Sequence, residues 1–259
     1  MNPHIKRSAE ILLPERIFVT IQSIRSRNYQ KKLLREWGVY ESMLEVEAEY
    51  GRTILDGPFQ GMKYPIESLL NRHGVPILFG TYELELHPII EEVASKSYKR
   101  IIDIGCAEGY YAVGLARRTE ATIYAFDCEP RERRYCRMMA RENGVADRVH
   151  VRAWCSARTL SKVVIGRCLV IADCEGCEAH LFSDDVISGL RSCDLIVELH
   201  EVPGMDVRAT LLQRFDNTHS AQLITFEPGN VGSVPDRWRK FAREFRPLGQ
   251  QWVYFTPRL

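Results

Sequence analysis

The stretch IIDIGCAEGYYAVGLARR, residues 101–118, runs from an apolar segment through one aspartate into a glycine turn and then into a helical pattern. Gly105 and Gly109 let the backbone turn tightly and approach a ligand closely. Asp103 ends the apolar segment, and its carboxylate can accept hydrogen bonds from a cationic amine. The dinucleotide fingerprint uses three glycines to accommodate a pyrophosphate, whereas this turn lacks the third glycine and is flanked by acids. The stretch therefore predicts a strand, a turn and a helix that suit a ligand with a sulfonium and an ammonium group.

A second acid ends the next apolar run, TIYAFD, whose last residue is Asp127. A carboxylate at that strand end can accept hydrogen bonds from both hydroxyls of a ribose. Together the two elements resemble motifs I and II of class I S-adenosylmethionine-dependent methyltransferases. The alternative interpretation is a related Rossmann-like domain that binds NAD or no nucleotide.

Apolar runs of strand length alternate with helix-length segments from residue 100 onward, which is typical of a parallel sheet covered on both faces. The runs are RIIDIG, TIYAFD, VHVRAW, CLVIADC, CDLIVELH, AQLITFE and QWVYFTP. We predict an α/β fold with a doubly wound, seven-stranded, mostly parallel sheet, the Rossmann-like methyltransferase fold, closed by an antiparallel strand. The segment DRWRKFAREF before the last run predicts a short helix.

Residues 1–78 are predicted to form an N-terminal helical and hairpin appendage to a methyltransferase domain of residues 79–259. Residues 16–35 carry six basic and no acidic side chains, with apolar residues at roughly helical spacing, which predicts a basic amphipathic helix. This helix either packs on the domain with a solvated basic face or meets an acidic partner, and a homodimer through the N-terminal helices is an open alternative. Further helices are predicted over residues 41–50 and 82–95, with a hairpin or loop at GRTILDGPFQGMKYP.

The charge balance argues against partners that are recognised by a strong overall field. Lys+Arg 35 against Asp+Glu 34 gives a net charge of +1, so we expect neither a nucleic-acid nor a membrane partner. The sequence lacks the apolar region of a signal peptide and any run near the ~20 residues that span a bilayer, so a cytoplasmic protein is expected. The eight cysteines are not arranged as in a small disulfide-rich domain, and reduced thiols are expected.

Four segments resemble the FkbM family of methyltransferases over roughly residues 79–257. They are LVIADCEGCEAHLF, LIVELHE, FGTYELELHPII and AFDCEP. The resemblance implies methyl transfer from S-adenosyl-L-methionine, usually to a hydroxyl of a small natural product or glycan. It also implies cofactor contacts from Asp103, Gly105, Cys106 and Gly109 at the methionine end, Asp127 at the ribose, and Cys155 and Ser156 at the adenine. The chain departs from the common pattern at the adenine, because Trp154, Cys155 and Ser156 replace the usual acid.

His200, Asp173 and Glu175 are the candidate catalytic residues, since they follow two neighbouring predicted strands. A hydroxyl nucleophile must lose its proton as it attacks the methyl carbon, and the pKa of histidine is well placed for a general base. Glu178 is interpreted mainly as a residue that favours the N-terminal end of the next helix. The structural alternative assigns the acids to the turn and the cap, and the histidine to a structural hydrogen bond.

Tyr82, Glu83 and His87 are predicted to shape the acceptor pocket, provided that the helix before the first strand covers the site. Cys174 and Cys177 form a C-x-x-C pair, but no second ligand pair occurs at zinc spacing, so we interpret both as packed and predict no metal.

Two rival functions remain open at this stage. In one, a divalent cation held by Asp173, Glu198 and His200 lowers the pKa of a substrate oxygen. In the other, the chain is a binding module that keeps the cofactor fold without turnover.

Overall fold

The computed structural model describes residues 38–229, 231–232, 234–244, 246 and 249–258, so the predicted basic helix of residues 16–35 lies outside the described part. A single seven-stranded sheet has the order β3-β2-β1-β4-β5-β7-β6. Its strands are β1 Arg100–Ile104, β2 Thr122–Phe126, β3 Val149–Arg152, β4 Cys168–Ala172, β5 Asp194–Leu199, β6 His219–Thr225 and β7 Gln251–Pro257. The first five strands pair in parallel, and β7 runs antiparallel to both β5 and β6. The predicted fold class is confirmed, including the antiparallel closing strand.

Helices cover both faces of the sheet. They are α1 Val39–Tyr50, α2 Ile66–Leu69, α3 Gly74–Phe79, α4 His87–Ala94, α5 Tyr110–Arg118, α6 Pro130–Glu142, α7 Ala157–Val163, α8 Glu178–Leu181, α9 Asp184–Ile187 and α10 Val207–Phe215. Side chains alternate across a strand, so Ile101 packs in one core with Leu115 of α5, while Ile102 packs in a second core with Leu160 of α7. The strand order reverses between β1 and β4, which is where a doubly wound sheet binds its ligands.

The segment before the sheet shares the core of the main domain. Val39, Met43 and Phe59 are buried in the same cluster as Ile101. Thr53 and Lys63 form an antiparallel bridge, which fits the predicted hairpin or loop. The division at residue 78 stays a prediction.

Two helix predictions differ from the structure in detail. The predicted helix of residues 82–95 begins later, with a 3₁₀ turn over Leu84–Leu86 and then α4, because Glu83 has a left-handed backbone with φ 50°. The helix predicted from DRWRKFAREF is wrong, because residues 236–241 form turns instead. Hydrogen bonds from Phe241 N and Ala242 N to Trp238 O close one turn, after which Glu244 and Arg246 join the ion cluster described below.

The thiols and the helices agree with the simplest expectations from composition. All eight cysteines are free. Within the described residues, no helix combines the length and the apolar content that crossing a membrane requires.

Gly114 in α5 offers a test of how the first segment packs on the domain. A Cβ at this position would lie 2.5 Å from Cδ1 of Phe59, whose buried ring also stands edge-on to Tyr110 at 4.9 Å. We expect Gly114→Ala to lower the free energy of unfolding by about 1–2 kcal/mol, because overpacking costs ~1–3 kcal/mol and exceeds the gain in helix propensity. Urea unfolding of the purified protein measures the change.

Gly189→Ala is the matched control, because a Cβ there meets nothing within 4 Å. It should be neutral or slightly stabilising. Equal stability of the Gly114 and Gly189 variants would mean that Phe59 does not pack against α5 as described.

Candidate active site

The turn after β1 approaches the backbone after β4 so closely that only glycine fits. Gly105 has φ 84°, and a Cβ there would stand 1.6 Å from Asp173 O. The N–H groups of Gly105 and Cys106 both donate to Phe126 O at the end of β2, at 2.8 and 2.9 Å. Gly109 has φ 102° and begins α5 against Cys136, whose Sγ would lie 2.8 Å from a Cβ. The turn therefore fixes the ends of β1, β2 and β4 relative to one another.

Asp103 lies buried at the end of β1, with only 2% of its surface exposed. Its Oδ2 atom is buried without a hydrogen-bond partner. Burial raises the pKa of this carboxyl to about 8, and the nearby charges of Asp173, Asp127 and Glu83 add to the shift. A buried acid with an unused oxygen is well suited to a cationic ligand group, which would restore its charge.

Asp127, the first residue after β2, is held in a fixed orientation by the backbone. Its Oδ2 accepts a hydrogen bond from Ala107 N at 2.9 Å, and its Oδ1 accepts one from Glu129 N at 2.7 Å. Burial raises the pKa of this carboxyl, while these two hydrogen bonds lower it in part. An ionised carboxylate has about four acceptor positions, so Asp127 keeps one on each oxygen for a diol.

The residues after β3 have structural roles of their own. The Ser156 hydroxyl accepts from Thr159 N at 3.2 Å and so caps α7, and Cys155 is buried in the second core. Cys106 is likewise buried, close to the glycine turn. The neighbouring Trp154 is 61% exposed and is the large side chain at this position that is free to meet a planar ligand. The adenine contacts stay a prediction.

His200, the first residue after β5, lies at the centre of a cluster of acids. Its Nδ1 bonds to Glu178 Oε1 at 2.8 Å. Its Nε2 lies 3.6 Å from Asp173 Oδ1, 3.6 Å from Glu175 Oε2 and 3.5 Å from Glu198 Oε2. The structure thus brings together the three predicted catalytic residues.

Glu178 is more than a residue that favours a helix end. Its Oε1 also accepts from Cys174 N and Gly176 N, both at 3.2 Å, so the turn after β4 holds the carboxylate that orients the His200 ring. Burial disfavours the charge, yet these bonds and His200 keep the Glu178 pKa low. The sequence pattern did not predict this contact with His200, because it joins two segments 22 residues apart.

The charges around His200 determine which side chains carry protons. Burial alone would lower the pKa of His200, but Glu178, Asp173 and Glu175 outweigh it and raise the pKa. Burial and Glu198 raise the pKa of Asp173, and burial raises that of Glu198 to about 6. In the ligand-free site these charges therefore favour the protonated form of His200.

A second cluster surrounds Arg246, which no motif in the sequence singled out. The guanidinium contacts Glu198, and it lies 3.3 Å from Glu83, 3.2 Å from Glu85 and 3.7 Å from Glu244. Burial raises the pKa of Glu83 and of Glu85, and raises that of Glu244 to about 8. One guanidinium does not balance four carboxyl groups, so this region adds to the acidity of the site.

The three predicted acceptor residues differ in their surroundings. Glu83 is buried, accepts from the Tyr111 hydroxyl and pairs with Arg246. Tyr82 packs edge-on against Tyr110, with ring centroids 5.0 Å apart. His87 turns away toward the loop before α2, since its Nε2 bonds to Tyr82 O at 2.9 Å and its Cε1 would meet a Cβ on Gly57 at 3.0 Å.

An open groove of about 780 Å³ begins at His200. Its apolar walls come from Val202, Pro203, Met205 and Val207, and Glu201 adds an acid. This groove is large enough for a small organic molecule, and of the three catalytic candidates His200 lines it.

Backbone strain is concentrated at the same edge of the sheet. Within the described residues, the non-glycine positions with positive φ are Glu83 (50°), Ala107 (44°) and Glu175 (55°). Such conformations cost of order 1–3 kcal/mol each and are typical of functional sites. All three stand beside the carboxylates described above.

The buried Asp103 predicts a stability that depends on pH in the ligand-free protein. Its folded pKa of about 8 is above the unfolded value of ~3.9, so between these pH values the folded state holds a proton that the unfolded state has released. The contribution of Asp103 to the free energy of unfolding is fully present below the unfolded pKa, and it is lost as the pH rises toward the folded pKa. Asp103→Asn should therefore gain stability over the wild type as pH rises, by up to ~1.4 kcal/mol per unit.

Chemical denaturation between about pH 5 and about pH 8 measures this difference. Asp185→Asn, which removes an exposed carboxylate, controls for the loss of one charge. A constant difference between wild type and Asp103→Asn across that range would contradict the buried, raised-pKa carboxyl.

Comparison with known proteins supplies similarities of fold. No protein-family model and no curated protein matches the sequence. A precorrin-8w decarboxylase of Methanobacterium thermoautotrophicum is 16% identical over 67% of this chain and 89% of its own, with a TM-score of 0.46. An rRNA methylase of Streptococcus thermophilus is 11% identical over 69% and 99%, also at 0.46. The bifunctional kinase-methyltransferase WbdD is 14% identical over 66% of this chain and 37% of its own, at 0.43. At these sequence identities and TM-scores the likeness carries no information about the reaction, and only the side chains of the site can indicate it.

Proposed function

We propose that this protein is an S-adenosylmethionine-dependent methyltransferase that methylates an oxygen nucleophile. The observation that carries the proposal is the buried Asp103 carboxyl, whose Oδ2 atom has no partner beside the glycine turn. Such an atom suits a ligand that donates a hydrogen bond, and the ammonium of S-adenosylmethionine is a donor of the right charge.

The charge of the whole edge supports a cationic rather than an anionic ligand. Within the described residues, nine carboxyl groups and two basic side chains lie in the clusters at this edge. The acids are Asp103, Asp127, Asp173, Glu175, Glu178, Glu83, Glu85, Glu198 and Glu244, and the bases are His200 and Arg246. A dinucleotide would bring a pyrophosphate into this field, whereas S-adenosylmethionine brings a sulfonium and an ammonium. Repulsion of the first and attraction of the second favour the methyl donor over NAD.

The remaining cofactor contacts follow the edge of the sheet. Asp127 would take the two ribose hydroxyls with the acceptor positions that its backbone contacts leave open. Cys155 and Ser156 would approach the adenine through their backbone groups, since the Ser156 hydroxyl caps a helix. The exposed ring of Trp154 would cover the base.

The cofactor supplies an activated methyl group, so the protein has to align the acceptor and manage one proton. In the transfer the sulfur–methyl bond breaks, an oxygen–methyl bond forms, the sulfonium becomes a neutral thioether, and the acceptor hydroxyl releases its proton. Alignment of the reacting atoms accounts for much of the rate in such an in-line displacement. No covalent enzyme intermediate is required.

The acceptor hydroxyl would lose its proton at the cluster of His200, Asp173 and Glu175, at the mouth of the groove. The nearby carboxylates raise the pKa of His200 and so favour its protonated form, which works against the ring as a general base. Glu83 and Tyr82 would shape the cofactor side of the acceptor site, with His87 behind them. A natural product or glycan acceptor rests on the resemblance to the FkbM family.

Ligand binding tests the cofactor assignment. Calorimetry should show binding of S-adenosylmethionine and S-adenosylhomocysteine but not of NAD. Asp103→Asn should weaken the binding of S-adenosylhomocysteine at least about tenfold, because it removes a charged hydrogen bond to the amino group. The same variant should bind 5′-methylthioadenosine, which lacks that group, with an affinity within about twofold of the wild type.

Asp127→Ala is the complementary variant in this test. It should weaken the binding of both ligands by roughly 2–3 kcal/mol, because both contain the ribose. Preferential binding of NAD would overturn the proposal, and an equal effect of Asp103→Asn on both ligands would remove Asp103 from the methionine end.

The role of His200 is tested by turnover. His200→Ala should leave S-adenosylhomocysteine affinity within about 0.5 kcal/mol, as expected for a residue that loses no cofactor contact. Methyl transfer to a panel of hydroxylated acceptors should fall by ~10²-fold or more. His150→Ala, at an exposed position of β3, is the matched control. Near-wild-type turnover of His200→Ala would reduce His200 to a structural residue.

A further inference from the structure

We infer that His200, Asp173 and Glu175 form a site for a divalent metal ion at the end of the groove. One potential ligand atom from each residue lies within 4.8 Å of the other two. Atoms bound to one ion at about 2.1–2.2 Å stand about 3 to 4.4 Å apart, so the three side chains need little movement to share an ion.

The orientation of the His200 ring is the first support. Glu178 is fully buried and bonds to Nδ1 at 2.8 Å, which turns Nε2 toward the other acids. A carboxylate on the far nitrogen of a ligating histidine is the usual outer contact in metal sites, where it fixes the tautomer and strengthens the donor. Glu178 is itself held by two backbone N–H groups, so the ring is positioned before any ligand binds.

The second support is independent of the ring. Asp173 Oδ1 is buried and has no hydrogen-bond partner, although it lies 3.6 Å from Nε2. Glu198, with 2% of its side chain exposed, places Oε2 3.5 Å from the same nitrogen. These distances are too long for hydrogen bonds, so both carboxyl groups stand near Nε2 without bonding to it. The Asp173 oxygen is therefore available to an ion that Nε2 and Glu175 would share.

The donor set indicates the class of ion. Carboxylate oxygens with one imidazole suit Mn²⁺ or Mg²⁺, whereas tetrahedral zinc sites favour cysteine and histidine. The Glu175 side chain is 88% exposed, so the fourth side of the site opens toward solvent and the groove. An ion there would keep positions for exchangeable oxygens.

This geometry limits the chemical class of the acceptor, an inference that rests on the proposed methyl transfer. An acceptor with two adjacent oxygens, such as a vicinal diol or a hydroxy carbonyl compound, could bind the ion through both. The bound hydroxyl would release its proton to solvent more easily than a free one. His200 would then serve as a ligand of the ion and not as the base.

Titration of the full-length protein with Mn²⁺ tests the site without any turnover. Calorimetry, and the loss of the free-ion paramagnetic resonance signal, should show one ion per chain. Glu175→Gln and His200→Ala should each lower the affinity for Mn²⁺ at least tenfold. Glu178→Gln should lower it by a similar factor, as is typical of residues that hydrogen-bond to a metal ligand.

Glu120→Gln and His150→Ala are matched controls at exposed positions outside the cluster, and both should bind Mn²⁺ like the wild type. Unchanged affinity for S-adenosylhomocysteine in the Glu175 and His200 variants shows that they are folded. No Mn²⁺ binding by the wild type, or equal binding by the wild type and both variants, would overturn the site. Failure of cofactor binding with Mn²⁺ binding intact would instead overturn the proposed function.

Discussion

The contact between Gly105 and the Asp173 carbonyl oxygen is the constraint on which the site depends. A Cβ at residue 105 would stand 1.6 Å from that oxygen, so the turn after β1 and the turn after β4 can meet only through glycine. The first turn carries the cofactor candidates, and the second carries Asp173 and Glu175 toward His200. In the proposed methyl transfer the donor and the acceptor must approach within bonding range, and this backbone contact would bring the two proposed half-sites together.

The second constraint is electrostatic. A site that buries Glu83, Glu198 and Glu244 around one guanidinium, with Asp103 buried near Glu83, is unfavourable when empty, because buried carboxylates repel one another and lose hydration. Raised pKa values are the response of the ligand-free protein, since protons neutralise part of the excess. A cationic ligand can replace those protons. The same imbalance that destabilises the empty fold therefore selects for a cation.

The sheet could be predicted from the sequence because buried parallel strands are continuous apolar runs, and the glycine turn marks where the first of them ends. It also placed Asp173, Glu175 and His200 together, since residues after neighbouring strands meet at one edge. The Arg246 cluster could not be read in this way, because Glu83 and Glu244 lie 161 residues apart and pair only after folding. The helix predicted at residues 236–241 failed for a similar reason, because this segment forms turns in which Arg237 pairs with the distant Glu49.

The position of Nε2 of His200 decides between a base and a metal ligand. Glu178 holds the ring by Nδ1, so Nε2 must accept either a proton or an ion from the volume that Asp173, Glu175 and Glu198 share. A proton there neutralises only one charge and leaves the ring unable to act as a base. A divalent ion neutralises two charges and has coordination positions left for an acceptor oxygen. The excess of carboxylates over cations around this one nitrogen is the physical reason to favour the ion.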